Sequence, residues 1–152
     1  MRQRSINLLI VDDQSGIRGL LYEVFRSESY RLFLASGGRE AVALAQQNPP
    51  DIVLLDIRMP DMDGVETLRI LKKINPEARI CVMTALDLSG RVRRALERGV
   101  DRFISKPFDI DEIRKVVRLL AVKKGAPGTQ SSQVAEERRA YGEPENGRDS
   151  SS

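Results

Sequence analysis

The chain has 152 residues, 41% hydrophobic and 31% charged, with a net charge of +3 and no histidine. Such a balance suits one soluble domain with some chain to spare, and no run approaches the roughly 18 apolar residues that span a bilayer. The missing histidine excludes imidazole acid–base catalysis, phosphohistidine within this chain and His-ligated zinc, and the mild positive charge is no argument for nucleic acid.

The amino-terminal "MRQRSINLLIVDD" starts basic, but acids interrupt its apolar stretch too soon for a secretory signal, so the protein reads as cytoplasmic. Within it, "INLLIV" (6–11) predicts the first strand and runs straight into Asp12 and Asp13. Ile17, Leu20, Leu21, Val24 and Phe25 then follow the i, i+3, i+4, i+7, i+8 pattern of a helix with one apolar stripe. "YRLFLA" (30–35) is a second strand, at an edge, ending in "ASGG"; Ala41, Leu44 and Ala45 mark a weaker helix, closed by "NPPD".

"DIVLL" (51–55) is apolar after its first residue, as expected of a strand covered on both faces, and leads to Asp56. Val65, Leu68, Leu71 and Ile74 trace the next helix, with Asp63 and Glu66 spaced as a capping box and "NPEA" as its stop. "ARICVM" (78–83) is the fourth strand, with the lone Cys81 read as a buried thiol, and Thr84 follows it. The fourth helix carries Arg91, Arg93, Arg94 and Arg98, either a solvated basic face or a face for an acidic partner. "RFIS" (102–105) is the fifth strand, followed by Lys106 and Pro107; Asp109 and Glu112 open a last helix over about 110–122.

Beyond it the composition shifts to Gly, Ser, Pro and Glu with few large apolar residues, so residues 123–152 read as a disordered tail on a domain spanning 1–122. "SQVAEERRAY" within that tail has the composition of a transient helix. Five alternating β–α pairs predict an open, doubly wound parallel α/β sheet, whose ligands bind at the carboxyl ends of the strands.

Those ends carry Asp12 and Asp13, Asp56, Thr84 and Lys106. Singly, each has an ordinary role: a helix cap for Asp12 or Asp13, a turn or cap for Asp56 and Thr84, a solvated charge for Lys106. Together, three carboxylates on an apolar rim need a counter-charge, which a divalent cation and Lys106 supply. Oxygen-only ligands, few in number, point to Mg²⁺. A metal, a carboxylate and a lysine form a phosphoryl-transfer constellation. In it Asp56 is the nucleophile, Asp12 and Asp13 hold the metal, and Lys106 and Thr84 meet phosphoryl oxygens.

The motifs "LLIVDDQ", "DIVLLDIRMPDMDG", "VMTA" and "FISKPF" resemble, in order and spacing over about residues 5–122, the receiver domain of bacterial response regulators. That resemblance implies a (βα)₅ flavodoxin-like fold, with a five-stranded parallel sheet in the order 2-1-3-4-5 and helices on both faces. It implies Asp56 as phosphoacceptor, Mg²⁺ at Asp12, Asp13, Asp56 and the backbone carbonyl of Arg58, switch roles for Thr84 and Phe103, and a cis Lys106–Pro107 bond.

"VDDQSGIRGLLYEVF" and "SKPFDIDEIRKVV" are similar to the stand-alone receivers of sporulation phosphorelays. This implies a sensor histidine kinase as donor, a histidine phosphotransferase of the four-helix-bundle type as acceptor, and a partner-docking surface of Gln14, Gly16, Ile17, Leu20, Pro107 and Phe108. Ile17 and Leu20 also fit an ordinary core stripe. Phe103 stands where the sporulation type carries a histidine. The expected molecule is a monomer, bound directly to neither nucleic acid nor membrane, that catalyses its own aspartyl phosphorylation rather than turning over as an enzyme. The alternative is a phosphorylation-switched adaptor that binds a target protein without onward transfer. A haloacid-dehalogenase type phosphatase is disfavoured, because its general-acid aspartate would stand where Arg58 does.

Overall fold

A computed structural model describes residues 5–59, 62–84 and 90–125. Its elements alternate without exception: β1 (Ile6–Val11), α1 (Ser15–Phe25), β2 (Tyr30–Ala35), α2 (Gly38–Gln47), β3 (Ile52–Asp56), α3 (Gly64–Ile74), β4 (Arg79–Thr84), α4 (Gly90–Glu97), β5 (Arg102–Ser105) and α5 (Ile110–Gly125). The strands are all parallel, in the order β2-β1-β3-β4-β5. The expected tail lies outside the described residues from 126 onward.

Side chains alternate across each strand, so one sheet makes two cores. Leu8, Ile10, Ile52, Leu54 and Cys81 face α1 and α5, where they meet Leu21, Phe25, Ile113 and Val117. Leu9, Val11, Val53, Leu55 and Val82 face the other way and meet Ala41, Leu68 and Leu71 of α2 and α3. Cys81 is fully buried, and loss of water pushes its thiol up to about 12, so it is an inert packing group.

Three expectations shift. β3 and β4 each lie one residue further along than their apolar runs suggest, because the ladder pairs Asp56 with Met83 and Thr84 with Ser105. Asp56 and Thr84 therefore end their strands rather than follow them. α5 extends three residues beyond 122. Leu20 leaves the core: it is 39% exposed, on the flank of a stripe whose centre is Leu21, Val24 and Phe25.

Asp63 caps α3 as expected, its side chain accepting from the Val65 N–H at 3.1 Å, and Asp109 accepts from the Asp111 N–H at 3.2 Å. α2 and α3 approach closely at Gly38, where an added Cβ would stand 2.5 Å from Thr67 Oγ1 and 2.7 Å from Met62 Cβ. Gly19, inside α1, has nothing within 4 Å of that position. The two glycines should respond oppositely to alanine in urea titrations. Gly38→Ala should lose about 1–3 kcal/mol to overpacking, and Gly19→Ala should gain up to about 1 kcal/mol from reduced chain entropy.

Candidate functional site

The sheet's own hydrogen bonds deliver the charged residues to one rim. Past the end of β1, the Asp12 N–H still donates to the Ala35 carbonyl at 3.1 Å. Past β3, the Ile57 N–H donates to the Met83 carbonyl at 3.3 Å, and past β5 the Lys106 N–H donates to the Thr84 carbonyl at 2.8 Å. Each anchor continues a ladder by one step, so the side chains converge on fixed backbone rather than on mobile loops.

Asp12, Asp13 and Asp56 each bring a carboxylate oxygen within 4.8 Å of the other two. Asp12 is fully buried, Asp56 is 5% exposed and Asp13 faces solvent. The Lys106 ammonium lies 2.7 Å from Asp12 Oδ2 and 3.6 Å from Asp56 Oδ2, with its own side chain only 12% exposed. One cation thus bridges two buried anions, leaving the site short of positive charge.

Asp12 is no helix cap. Gln14 occupies the N-cap of α1 and makes no side-chain cap bond. Instead Asp12 Oδ1 accepts from the Gln14 N–H at 3.0 Å, and Arg18 donates to the Asp12 carbonyl at 2.8 Å. Asp56 Oδ1 accepts from the Arg58 N–H at 3.2 Å. No sequence motif marks Arg18, because its contact with Asp12 depends on the tight β1–α1 turn.

Burial raises the Asp56 carboxyl above its usual 3.8 and the Asp12 and Asp13 charges add to this, while the Arg58 N–H and Lys106 oppose it. A raised native pKa means the folded state holds its proton longer than the unfolded chain. Stability therefore falls as pH rises from 3.8 through the raised pKa, and the deficit is constant above it. Denaturant titrations in chelator should show Asp56→Asn gaining on the wild type across that window and keeping its lead at neutral pH.

The remaining candidates lie on β4, β5, α1 and the turns beside them. Thr84 is half-buried at the end of β4. Phe103, half-buried on β5, packs against the α2–α3 core and carries the Arg93 guanidinium 4.8 Å from its ring centroid. Nothing in the sequence links these two residues, since their contact depends on how α4 lies over β5. The Lys106–Pro107 bond is cis, as the resemblance implied. Ile17 and Phe108 are half-buried against one core cluster, whereas Gln14, Gly16, Leu20 and Pro107 are exposed.

The donor set fits a hard divalent cation. Three carboxylate oxygens lie close together with one ammonium to balance them, and among the described residues they form the only such acidic or thiol group. No sulfur or imidazole competes with oxygen ligands there.

The family described as "Response regulator receiver domain" matches residues 8–118. Sporulation initiation phosphotransferase F of Bacillus subtilis is 45% identical over 111 residues, covering 73% of this chain and 90% of that protein. Regulatory protein AtoC of Escherichia coli is 35% identical over 111 residues, 73% of this chain but 24% of that protein. Among solved structures, a CheY-like receiver domain protein from Methanospirillum hungatei superposes with a TM-score of 0.72 at 26% identity, covering 80% of this chain and 98% of that one. CheY in the CheX–CheY–BeF₃–Mg²⁺ complex from Borrelia burgdorferi superposes with a TM-score of 0.67 at 35% identity, covering 74% and 86%.

Proposed function

The chain belongs to the response regulator receiver family, and we propose that it accepts a phosphoryl group from a histidine kinase on Asp56 and relays it to a histidine phosphotransferase. The observation that carries this reading is the rim itself: three carboxylates within 4.8 Å and one ammonium bridging the two buried ones.

In the forward step an Asp56 carboxylate oxygen attacks the phosphorus of a partner's phosphohistidine. The P–N bond breaks, its electron pair returns to the imidazole nitrogen, and the acyl phosphate forms on Asp56. Lys106, already at Asp56 Oδ2, neutralises charge on the transferring oxygens, and the Thr84 hydroxyl donates to another of them. The Arg58 N–H steadies the second Asp56 oxygen so that Oδ2 is presented. Asp12, Asp13, Asp56 and the Arg58 carbonyl would hold Mg²⁺, which would supply charge neutralisation for the phosphoryl group.

Phosphorylation then biases a two-state surface. Thr84 is drawn to the phosphoryl group, and Phe103 fills the space it leaves. In the structure here Arg93 over the Phe103 ring opposes that movement by roughly 0.5–1 kcal/mol. Exposed Gln14, Gly16, Leu20 and Pro107, with the edges of Ile17 and Phe108, form the face on which the helices of a histidine-bearing partner dock. No helix of the described residues is long and apolar enough to cross a membrane.

Time-resolved transfer from the labelled chain to a four-helix-bundle phosphotransferase tests the relay. Label should leave Asp56 and appear on the acceptor histidine within the life of the acyl phosphate. Label that stays on Asp56 until hydrolysis would leave the adaptor reading, in which the phosphorylated surface binds a target without onward transfer.

A further inference from the structure

Between α3 and α4 lies a groove of about 760 Å³ that the phosphoryl site does not use. Among the described residues five cations line it: Arg69, Lys72 and Lys73 from α3, Arg94 and Arg98 from α4 and the turn after it. Its apolar lining is Val65, Leu68 and Gly99, with Leu68 only 4% exposed. Among the described residues no acidic side chain lines it.

Helix dipoles account for part of this charge, since Lys72 and Lys73 sit in the last turn of α3. They do not account for five cations around one cleft. Lys72 is held in place, its ammonium donating to the Ala78 carbonyl at 2.9 Å, and Arg69 has a solvent-exposed pairing with Glu66 at 3.7 Å. Among the described residues no carboxylate lies within ion-pair distance of Lys73, Arg94 or Arg98, all three exposed. Charge of one sign around a concave, partly apolar surface focuses an attractive potential on anions.

We infer that the α3–α4 groove is a docking site for an acidic peptide segment of a partner protein, carboxylates meeting the arginines and lysines and an aliphatic side chain resting on Val65 and Leu68. Charge complementarity selects this occupant. Arginine forks pair bidentately with carboxylates, and the apolar lining rewards a side chain that a free anion lacks. Among the described residues no aromatic side chain lines the groove for a nucleic-acid base to stack on. The inference goes beyond the phosphoryl relay and does not depend on Asp56.

Fluorescence anisotropy with the full chain tests it, the probe being a short fluorescein-labelled peptide of glutamates interspersed with leucines. Saturable binding is expected, weakened at least about 10-fold by the double variant Arg94→Glu/Arg98→Glu, a change of roughly 1.4 kcal/mol or more. The Arg94→Lys/Arg98→Lys pair, which keeps the charge but loses the bidentate fork, should bind between the wild type and the charge-reversed pair, and thermal melts should show both variants folded. Replacing the probe's leucines with serine should weaken it by a similar factor.

Absence of saturable binding, equal binding by a glutamine-for-glutamate probe or by the serine probe, or equal binding to the charge-reversed variant would overturn the inference. So would a single-stranded oligonucleotide that binds as tightly and with the same arginine dependence. Tighter probe binding by a Glu136→Gln/Glu137→Gln chain would give the groove to the protein's own acidic residues and also remove the partner assignment.

Discussion

Incubated with acetyl phosphate and Mg²⁺, the wild-type chain should gain the mass of one phosphoryl group, and Asp56→Asn should stay at background. The prediction is large because, among the described carboxylates, only Asp12 and Asp56 combine burial, an ammonium and two further carboxylates, and of the two Asp56 is the less engaged. Asp12 is equally buried, but its Oδ2 is engaged by Lys106 at 2.7 Å and its Oδ1 by the Gln14 N–H. Asp13 belongs to the same cluster but faces solvent and lacks the burial of the other two. Asp56 has an oxygen held at the looser 3.6 Å from the ammonium, so it is less engaged than either oxygen of Asp12. Intact-mass analysis reads the outcome directly. An adduct that persists in Asp56→Asn, or forms equally well in chelator, would count against both the residue and the metal. The same variant should be more stable than the wild type at neutral pH without metal, because it removes a carboxylate that burial already disfavours. Lost phosphorylation with undiminished stability would place the defect in chemistry rather than folding.

Lys106→Ala should be harmful in both respects. Phosphorylation by acetyl phosphate should slow about 100-fold, the usual cost of removing one preorganised group that stabilises charge on the reacting oxygens. The fold should lose roughly 3 kcal/mol in chelator, because Asp12 is left fully buried without its partner. Added Mg²⁺ should restore part of that stability, since it meets the same uncompensated carboxylates, while leaving the rate low. Urea titrations with and without metal, run beside the acetyl phosphate assay, separate the two effects. Equal stability in chelator would mean that the Lys106–Asp12 pair roughly offsets its own desolvation. Equal rates would remove Lys106 from the mechanism.

Much of this site is legible before any fold is known. Four apolar runs each stop at a residue capable of chemistry, and in a doubly wound sheet strand ends share a rim. Asp12, Asp13, Asp56, Thr84 and Lys106 follow from that rule, as do the limits of β1, β2 and β5, where apolar runs end in charged or small residues. Proline after α2 and α3, and Asp63 before α3, place helix ends because their effects act on adjacent backbone.

What escaped the sequence involves distant partners. Lys106 meets Asp12 across 94 positions, a pairing set by strand order and register. Leu20 shares the periodicity of Leu21 and Val24, yet periodicity gives a stripe and not its width; only the position of the sheet and α5 decides that Leu20 is left outside. Arg93 over Phe103, and the basic groove between α3 and α4, likewise exist because separate helices come to rest on one sheet face. Local pattern determined the elements and the chemistry at their ends. The tertiary structure decided which charges pair, which apolar side chains stay wet and where cations gather, because those depend on burial and distance between chain segments that are far apart in sequence.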